Sequence, residues 1–305
     1  MLRNSSKAPP IASMPEGARS PCDHCAGDRA RKLFDKAGDS YVRCERCGLV
    51  YIDPQPTDAE LGAIYDEHYY DAWGTGVNAA HVAELKRRTF HLMLDRLARA
   101  AGVRTGALLD LGCATGYLLE VARQRGFDPF GVELNRFSAK LAQEKFGATR
   151  IHCGTLDDAP FAPASFRAVV MSDLLEHVRS PRKLLAQAHR LLTPGGALIV
   201  VAPDVGGLSS KLLRTAWTDY KREHLFYFDR KTLKASLRQA GFEVRQTRAF
   251  PKFLDLSYIR QQLVEFPTPL FTPLIRGIHA LLPERATRIA FPIFAGSMIA
   301  VAVRT

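Results

Sequence analysis

Apolar positions recur along residues 105–305 with two alternating spacings. Short apolar runs bounded by glycine, proline or polar residues predict buried strands, and longer segments with apolar residues three or four positions apart predict helices. The predicted strands cover residues 107–111, 129–134, 149–153, 166–172, 197–202, 243–248 and 298–304, and the predicted helices cover 117–125, 137–146, 182–192 and 231–240. Strands and helices that alternate in this way predict an α/β fold with a parallel sheet, here ending in an antiparallel hairpin.

The most informative turn follows the first predicted strand. Gly112 and Gly116 allow the backbone to bend sharply and to approach a ligand closely, and Ala114 supplies a small residue between them. Position 117 holds Tyr117, where a dinucleotide-binding turn would need a third glycine, so no pyrophosphate site is predicted. Glu133, 23 residues after Asp110, ends the second predicted strand and predicts a ribose contact.

Further segments extend this pattern into a resemblance to the class I S-adenosylmethionine-dependent methyltransferases, which covers about residues 80–305. The segments that carry it are Asp110 to Gly116, Glu133, Asp157 after the third predicted strand, Asp173 to His177 after the fourth, and residues 191–196 before the fifth. The resemblance implies a Rossmann-like sheet of seven strands with the last strand antiparallel, and S-adenosylmethionine as the cofactor.

The same resemblance implies roles for individual residues. Asp110 and the turn with Gly112, Ala114 and Gly116 would hold the methionine end of the cofactor. Glu133 would bind the ribose, and Asp157 would accept from the adenine amino group. Asp158 is an alternative to Asp157, because both lie in the same loop. Asp173 is also expected at the cofactor site.

Four cysteines near the start of the chain form a second strong pattern. Cys22-x-x-Cys25 and Cys44-x-x-Cys47 stand 18 residues apart, which is the spacing of a structural zinc ribbon with four thiolate ligands. Two disulfides are the alternative, and no signal peptide is recognised that would favour them. Cys113 and Cys153, the other two cysteines, are expected to be small buried residues.

The composition divides the chain into four parts. Residues 1–20 are rich in serine, proline and alanine and are expected to be disordered. Residues 21–52 form the predicted zinc ribbon, and residues 53–104 a linker and helical cap that contains a long helix at 79–101. Residues 105–305 form the domain that the resemblance implies to be a methyltransferase. Tyr69 and Tyr70, in the cap, are expected either to face the substrate or to pack.

The N-terminal cysteines and the aromatic residues after them also resemble bacterial methyltransferases with an N-terminal zinc-binding module. Many of those enzymes act on sugars, lipids or secondary metabolites. The resemblance suggests a small-molecule, sugar or lipid acceptor without choosing among these classes.

Catalytic chemistry is expected after the fourth predicted strand. His177 is a candidate general base, because the unperturbed pKa of histidine lies close to neutral pH, and His224 is a second candidate in a later loop. A structural hydrogen bond is the alternative for each. Asp173, Glu176, His177 and His224 together are similar to the metal site of ubiquinone-pathway O-methyltransferases, which implies an optional divalent cation that would activate a hydroxyl.

The net charge of +11, from 42 Lys plus Arg against 31 Asp plus Glu, leaves an RNA methyltransferase as an alternative. A non-catalytic cofactor-binding or interaction protein is a further alternative. No stretch is long and apolar enough to predict a transmembrane helix. A cytoplasmic enzyme is expected, with an apolar insert at 251–292 that serves either as a lid or as a peripheral contact with the inner surface of the membrane.

Overall fold

The computed structural model describes residues 21–64, 79–265 and 271–305. The predicted disorder of residues 1–20 and the two tyrosines at 69 and 70 lie outside the described residues. The central feature is a sheet of seven strands: β4 (Gly106–Leu111), β5 (Phe127–Glu133), β6 (Ile151–Cys153), β7 (Phe166–Ser172), β8 (Leu192–Pro203), β10 (Phe242–Leu254) and β11 (Phe291–Arg304). Their order in the sheet is β10-β11-β8-β7-β4-β5-β6.

The five strands from β4 to β8 pair in parallel, whereas β11 runs antiparallel to both β8 and β10. Parallel strands need crossover connections, and helices supply them. They are α3 (Tyr117–Gln124), α4 (Arg136–Phe146), α5 (Pro181–Leu191) and α7 (Arg230–Gln239), with α2 (Ala79–Ala101) preceding β4. The predicted α/β architecture with an antiparallel last strand is therefore confirmed.

Alternate residues of the central strands enter two separate hydrophobic cores. In β4, Leu108 packs with residues of α2 and α3, whereas Leu109 packs with residues of α5 and α7. Ile199 and Val200 of β8 divide in the same way. Both faces of the sheet are thus covered by helices, which explains why these strands read as continuous apolar runs.

The ends of several strands differ from the prediction. The strand predicted at 197–202 begins at Leu192, because it continues through the glycines that were expected to precede it. The hairpin is longer than predicted, since Leu254 still pairs with Phe291. The insert between its strands consequently starts at residue 255 and ends at residue 290, which shortens the predicted range of 251–292 at both ends.

A second, four-stranded sheet lies at the N-terminus. It contains β1 (Ala30–Lys36), β2 (Asp39–Cys44) and β3 (Val50–Ile52), followed by helix α1 (Asp58–Ile64). Its fourth strand is β9 (Phe226–Tyr227), which comes from the loop between β8 and α7. Helix α6 (Leu208–Leu213) begins the same loop. One edge of the predicted ribbon is therefore completed by a strand from the region of the seven-stranded sheet.

The insert between β10 and β11 contains three helices: α8 (Leu256–Glu265), α9 (Phe271–Leu281) and α10 (Glu284–Thr287). Asp255 accepts a hydrogen bond from the amide of Tyr258 and so caps α8. It also contacts His81 of α2, with 2.5 Å between Oδ2 and Nε2. No helix in the described part of the chain has the length and apolar character needed to cross a bilayer.

Candidate functional site

The turn after β4 adopts the conformation that its small residues predict. Gly112, Ala114 and Gly116 have φ values of +75°, +46° and +88°. A Cβ atom on Gly116 would lie 2.8 Å from the ring of Phe146, so position 116 excludes larger residues by contact as well as by conformation. The amides of Gly112 and Cys113 donate to the carbonyl of Val132 at 2.9 and 3.0 Å, which joins the turn to β5.

Glu133 lies beside this turn at the end of β5. Its two carboxylate oxygens accept hydrogen bonds from the amides of Ala114 and Asn135, each at 2.8 Å. The side chain is 4% exposed. A carboxylate oxygen can accept more than one hydrogen bond, so this geometry is compatible with the predicted ribose contact.

Asp110 is buried at the carboxyl end of the adjacent strand β4. Burial raises the pKa of its carboxyl group well above the ordinary range, and the charge of Glu133 adds to the shift. A cationic group, such as the α-amino group at the methionine end of the cofactor, would stabilise the ionised form. Asp110 and Glu133 therefore place two carboxyl groups at the ends of adjacent strands, where a cationic group would compensate their charge.

The two acids expected near adenine are engaged by neighbouring side chains. Asp157 accepts from Lys183 Nζ at 2.8 Å and from Gln187 Nε2 at 2.7 Å, and the hydrogen bond from Lys183 lowers its pKa. Asp158 accepts from the amide of Thr155 at 2.8 Å. Both aspartates are exposed. The adenine contact of Asp157, with Asp158 as its alternative, stays a prediction.

Asp173 follows β7 and takes a positive φ of 55°, which is unusual for a residue with a side chain. Its two carboxylate oxygens accept from Nζ of Lys252 at 3.0 and 3.1 Å. Although burial opposes the charge of Lys252, the proximity of Asp173 raises its pKa. Asp173 thus lies at the expected edge of the sheet, paired with a lysine that the sequence analysis did not identify.

Two more residues missed by the sequence analysis lie near this ion pair. Lys86 of α2 interacts electrostatically with Asp173 and Lys252, and burial lowers the pKa of its ammonium group to about 8. Tyr258 of α8 lies in the same electrostatic environment, where burial raises its pKa. The helical cap and the insert therefore each contribute a polar side chain. No motif marks them, because they come together only when separate segments fold onto the sheet.

Glu176, His177 and His224 form a compact cluster next to Asp173. One potential ligand atom from each residue lies within 4.8 Å of the others, and the two imidazole rings stand 4.6 Å apart in an edge-to-face arrangement. Glu176 is 1% exposed, and neither of its carboxylate oxygens has a hydrogen-bond partner among the described residues. Asp173, which the sequence analysis placed in the same metal set, is not part of this cluster.

Backbone contacts orient both imidazoles. Nδ1 of His224 lies 2.9 Å from the carbonyl oxygen of Asp219, so it acts as the donor and Nε2 carries the free lone pair. His177 makes a hydrogen bond to the backbone of Glu223. Each ring therefore uses one nitrogen to hold its position.

The pKa values in the cluster move away from those of exposed groups. Burial lowers the pKa of His177 to about 4 and lowers that of His224 well below its ordinary value. Burial also raises the pKa of Glu176 well above the ordinary range. Both imidazoles are consequently neutral near pH 7. The expectation of an unperturbed histidine pKa, used above to select His177 as a base, does not hold at this site.

The four N-terminal cysteines form a second cluster. The Sγ atoms of Cys22 and Cys47 lie 3.5 Å apart, as do those of Cys25 and Cys44, and all four lie within 4.8 Å of one another. Four thiolates around one zinc ion would be about 3.8 Å apart. All four cysteines are free thiols, so the predicted gathering of the ligands is present and the disulfide alternative is absent from this part of the structure.

The cysteine cluster is joined to the candidate site through β3 and β9. Val50 and Tyr51 pair with Tyr227 and Phe226, and the amide of Ile52 donates to the carbonyl of Leu225 at 3.0 Å. The amide of Leu225 in turn donates to the carbonyl of Glu176 at 2.8 Å. His224 immediately precedes this contact, so its position depends on the ribbon sheet.

Comparison with known proteins is consistent with this geometry. Residues 85–247, more than half of the chain, match the model of a family described as a methyltransferase domain. The chain belongs to this methyltransferase family. The matched residues form a methyltransferase domain, a class of domain that uses S-adenosylmethionine as the methyl donor.

Two relatives illustrate the range of the family. The chain is 34% identical over 110 residues to a ubiquinone biosynthesis O-methyltransferase of Chromobacterium violaceum, which covers 34% of this chain and 47% of the relative. It is 30% identical over 174 residues to a demethylmenaquinone methyltransferase of Renibacterium salmoninarum, which covers 55% and 68%. The methyltransferase thus spans about half the length of the first relative and two thirds of the second.

Solved structures support the same fold. A chain of the complex between the Haloferax volcanii Trm112 methyltransferase activator and a methyltransferase aligns with a TM-score of 0.54 at 21% identity, covering 78% of this chain and 97% of that one. The [4+2]-cyclase SpnF aligns with a TM-score of 0.50 at 20% identity, covering 82% and 98%. At these identities the similarity concerns the fold alone.

Proposed function

We propose that this methyltransferase transfers the methyl group of S-adenosylmethionine to an oxygen atom of a small molecule, at the cluster of Glu176, His177 and His224. The observation that carries the proposal is the buried carboxylate of Glu176, which has no described hydrogen-bond partner and lies beside two neutral imidazoles. Buried carboxylates are stable when a partner compensates their charge. A hydroxyl group of the acceptor or a divalent cation would supply that partner.

The residues at the carboxyl ends of β4 and β5 have a separate role in binding the cofactor. Asp110, Glu133 and the turn from Gly112 to Gly116 would bind the methionine and ribose parts of the cofactor, and they lie at the carboxyl ends of β4 and β5. Asp173 follows the neighbouring strand β7. This order would place the methyl group between the cofactor residues and the histidine cluster, as direct displacement at the methyl carbon requires.

The acceptor-side cluster fits a cation with mixed ligands. Neutral imidazole nitrogens and one carboxylate oxygen suit manganese, iron or zinc better than magnesium. A bound cation would lower the pKa of an acceptor hydroxyl. Without a cation, His177 and His224 would orient the hydroxyl and accept its proton, although their lowered pKa values make them weak bases.

The relatives favour a small-molecule acceptor over RNA. The names of the two relatives given above refer to ubiquinone biosynthesis and to demethylmenaquinone, and the ubiquinone relative is an O-methyltransferase. We therefore propose a quinone-like or other hydroxylated small molecule, with sugar and lipid intermediates as the remaining classes. We also propose that Cys22, Cys25, Cys44 and Cys47 hold a structural zinc ion, which their Sγ distances fit.

The acceptor-side cluster can be tested by titrating the protein, with its cysteine site loaded with zinc, with Mn²⁺ and measuring bound Mn²⁺ by electron paramagnetic resonance. Glu176→Gln and His224→Ala should weaken Mn²⁺ binding by roughly tenfold or more, because each removes one ligand. His152→Ala, which alters a histidine on β6 outside the cluster, is the matched control.

The same variants should be assayed for transfer of the labelled methyl group to a small-molecule extract. His177→Ala and His224→Ala should lower turnover much more than they lower the affinity for S-adenosylmethionine. Unchanged turnover in both variants would remove these histidines from catalysis. Normal turnover combined with absent Mn²⁺ binding in the parent protein would favour the cation-free form of the proposal.

A further inference from the structure

Helix α9 of the insert carries an apolar face that the described part of the chain does not cover. Leu274, Ile278 and Leu281 are spaced so that they share one side of the helix, and they are 52%, 38% and 86% exposed. Thr272, on the opposite side, is buried. Leu282, directly after the helix, is also exposed. We call Leu274, Ile278, Leu281 and Leu282 the α9 surface.

Single exposed leucines are common on folded proteins, but a contiguous apolar face is not. The side of α9 that carries Leu274, Ile278 and Leu281 has no charged residue, and the exposed Arg276 lies at its border. Exposing this side to water is unfavourable, since the free energy falls when apolar surface is removed from water. The α9 surface therefore has the character of a binding surface.

Exposed arginines lie on α9 and on the segment that directly follows it. Arg276, Arg285 and Arg288 are exposed in α9, in α10 and next to α10. Glu284 is the single acidic residue between positions 271 and 291, and Arg288 pairs with it at 2.7 Å. An apolar helix face with arginines at its border is complementary to a surface that is apolar inside and anionic at its rim.

We propose that the α9 surface docks onto an anionic lipid bilayer, with the leucines and the isoleucine at the level of the acyl chains and the arginines at the headgroups. Anionic lipids attract arginines near the membrane surface, and each buried apolar side chain adds to the affinity. The insert thus holds the enzyme at a membrane surface without spanning the bilayer. This role goes beyond methyl transfer and does not depend on which acceptor is used.

A second copy of the chain fits this surface less well. In a symmetric dimer the same patch meets itself, so the border arginines of one copy would face those of the other. The acids needed to offset that repulsion are missing from residues 271–291, apart from the paired Glu284. Anionic headgroups remove the repulsion instead of adding to it.

Helix α8 connects the α9 surface to the candidate site. Helix α8 packs against α9, and Tyr258 of α8 lies beside the Lys252–Asp173 ion pair. Docking through α9 would therefore bring one wall of the cleft close to the bilayer. An acceptor dissolved in the lipid would have a short path to the site.

The test is flotation of the full chain with vesicles of phosphatidylcholine, with or without phosphatidylglycerol. The parent protein should bind the vesicles that contain phosphatidylglycerol more tightly. Leu274→Gln combined with Leu281→Gln should weaken that binding by roughly tenfold or more, because two large apolar side chains no longer leave water. Circular dichroism of the variant should match the parent, since both residues are exposed.

A pair of charge variants separates local docking from attraction by the net charge. Arg276→Gln with Arg285→Gln removes two positive charges beside the α9 surface, and Lys140→Gln with Lys231→Gln removes two exposed positive charges from α4 and α7. The arginine variant should lose most of the preference for phosphatidylglycerol, and the lysine variant should retain it. Equal losses in both variants would overturn local docking.

Two other results would overturn the proposal. Binding that is unchanged in the leucine variant, or absent from the parent on both kinds of vesicle, would show that the α9 surface does not contact lipid. A parent dimer in sedimentation analysis that becomes a monomer in the leucine variant would identify a second copy as the occupant.

Discussion

The ribbon and the insert are both additions to the same methyltransferase sheet, but apolar residues are buried in the ribbon and exposed on α9 of the insert. In the ribbon, Tyr41 and Ile52 are almost fully buried against Trp217 and Tyr227 of the loop after β8. In the insert, Leu281 is 86% exposed, and the outward side of α9 has no described partner. Similar apolar content therefore produces a shared core in one segment and a surface in the other.

This difference bears on function as well as stability. The ribbon contributes backbone hydrogen bonds next to Glu176 and His224, so we infer that it supports the catalytic site. The insert contributes Tyr258 near the cleft and leaves α9 facing outward. Disturbing the ribbon should consequently damage folding and catalysis together, whereas disturbing α9 should affect neither directly.

The largest effect is expected from the cysteine cluster. Cys44→Ser, or prolonged chelation of the metal, should destabilise the ribbon by several kcal/mol, because binding of structural zinc supplies folding free energy of about 10 kcal/mol in small modules. Thermal unfolding should begin at a markedly lower temperature, and Mn²⁺ binding at His224 should weaken in parallel.

Cys153→Ser is the matched control, since Cys153 on β6 lies outside the cluster and, contrary to the prediction that it is buried, is exposed. Its unfolding temperature should equal that of the parent. If Cys44→Ser melted like this control and contained as much zinc as the parent, the proposed structural zinc site would be refuted.

An intermediate effect is expected when one aromatic residue is removed from the shared core. Trp217→Ala should lower the free energy of unfolding by about 3–5 kcal/mol, because the fully buried indole leaves a cavity between the ribbon sheet and the loop. Leu281→Ala in α9 should change it by less than about 0.5 kcal/mol. Urea denaturation measures both values, and similar losses in the two variants would contradict the comparison.

The smallest effect is expected at a polar contact that joins the ribbon to α5. Asp23 accepts from the amide of Arg182 at 2.9 Å and from the hydroxyl of Ser180 at 2.6 Å, so it caps the helix from another segment. Asp23→Ala should cost about 1 kcal/mol in urea denaturation.

Asp28→Ala is the control for this contact, because Asp28 is an exposed acid of the same ribbon. It should leave the unfolding free energy within about 0.5 kcal/mol of the parent value. A larger cost at Asp28 than at Asp23 would mean that the cap contributes little to docking of the ribbon.

Much of the catalytic core was predictable because its signals are local. The period of apolar residues predicted all seven strands of the central sheet, and the small residues between Asp110 and Gly116 predicted a turn with positive φ values. The paired cysteine motifs predicted one cluster of four thiols. The two strands of the hairpin are longer than predicted. Pro251 interrupts the apolar pattern, but the strand pairing continues past it.

The interaction partners around Asp173 could not be predicted from local sequence patterns. Asp173, Glu176 and His177 are close together along the chain, but in the fold they have different interaction partners. Lys252 from the end of β10 pairs with Asp173, whereas His224 joins Glu176 and His177. The choice depends on which distant segment packs against each side chain.

The sequence by itself determined the α/β core, the glycine turn, the acids at the strand ends and the four-cysteine set, because each depends on backbone periodicity or on close spacing along the chain. Only the tertiary structure decided that β9 completes the ribbon sheet, that Lys252 pairs with Asp173 and that α9 faces outward. These features join segments that are far apart in the chain. Their stability comes from burial and charge compensation between surfaces that exist only after the sheet has formed.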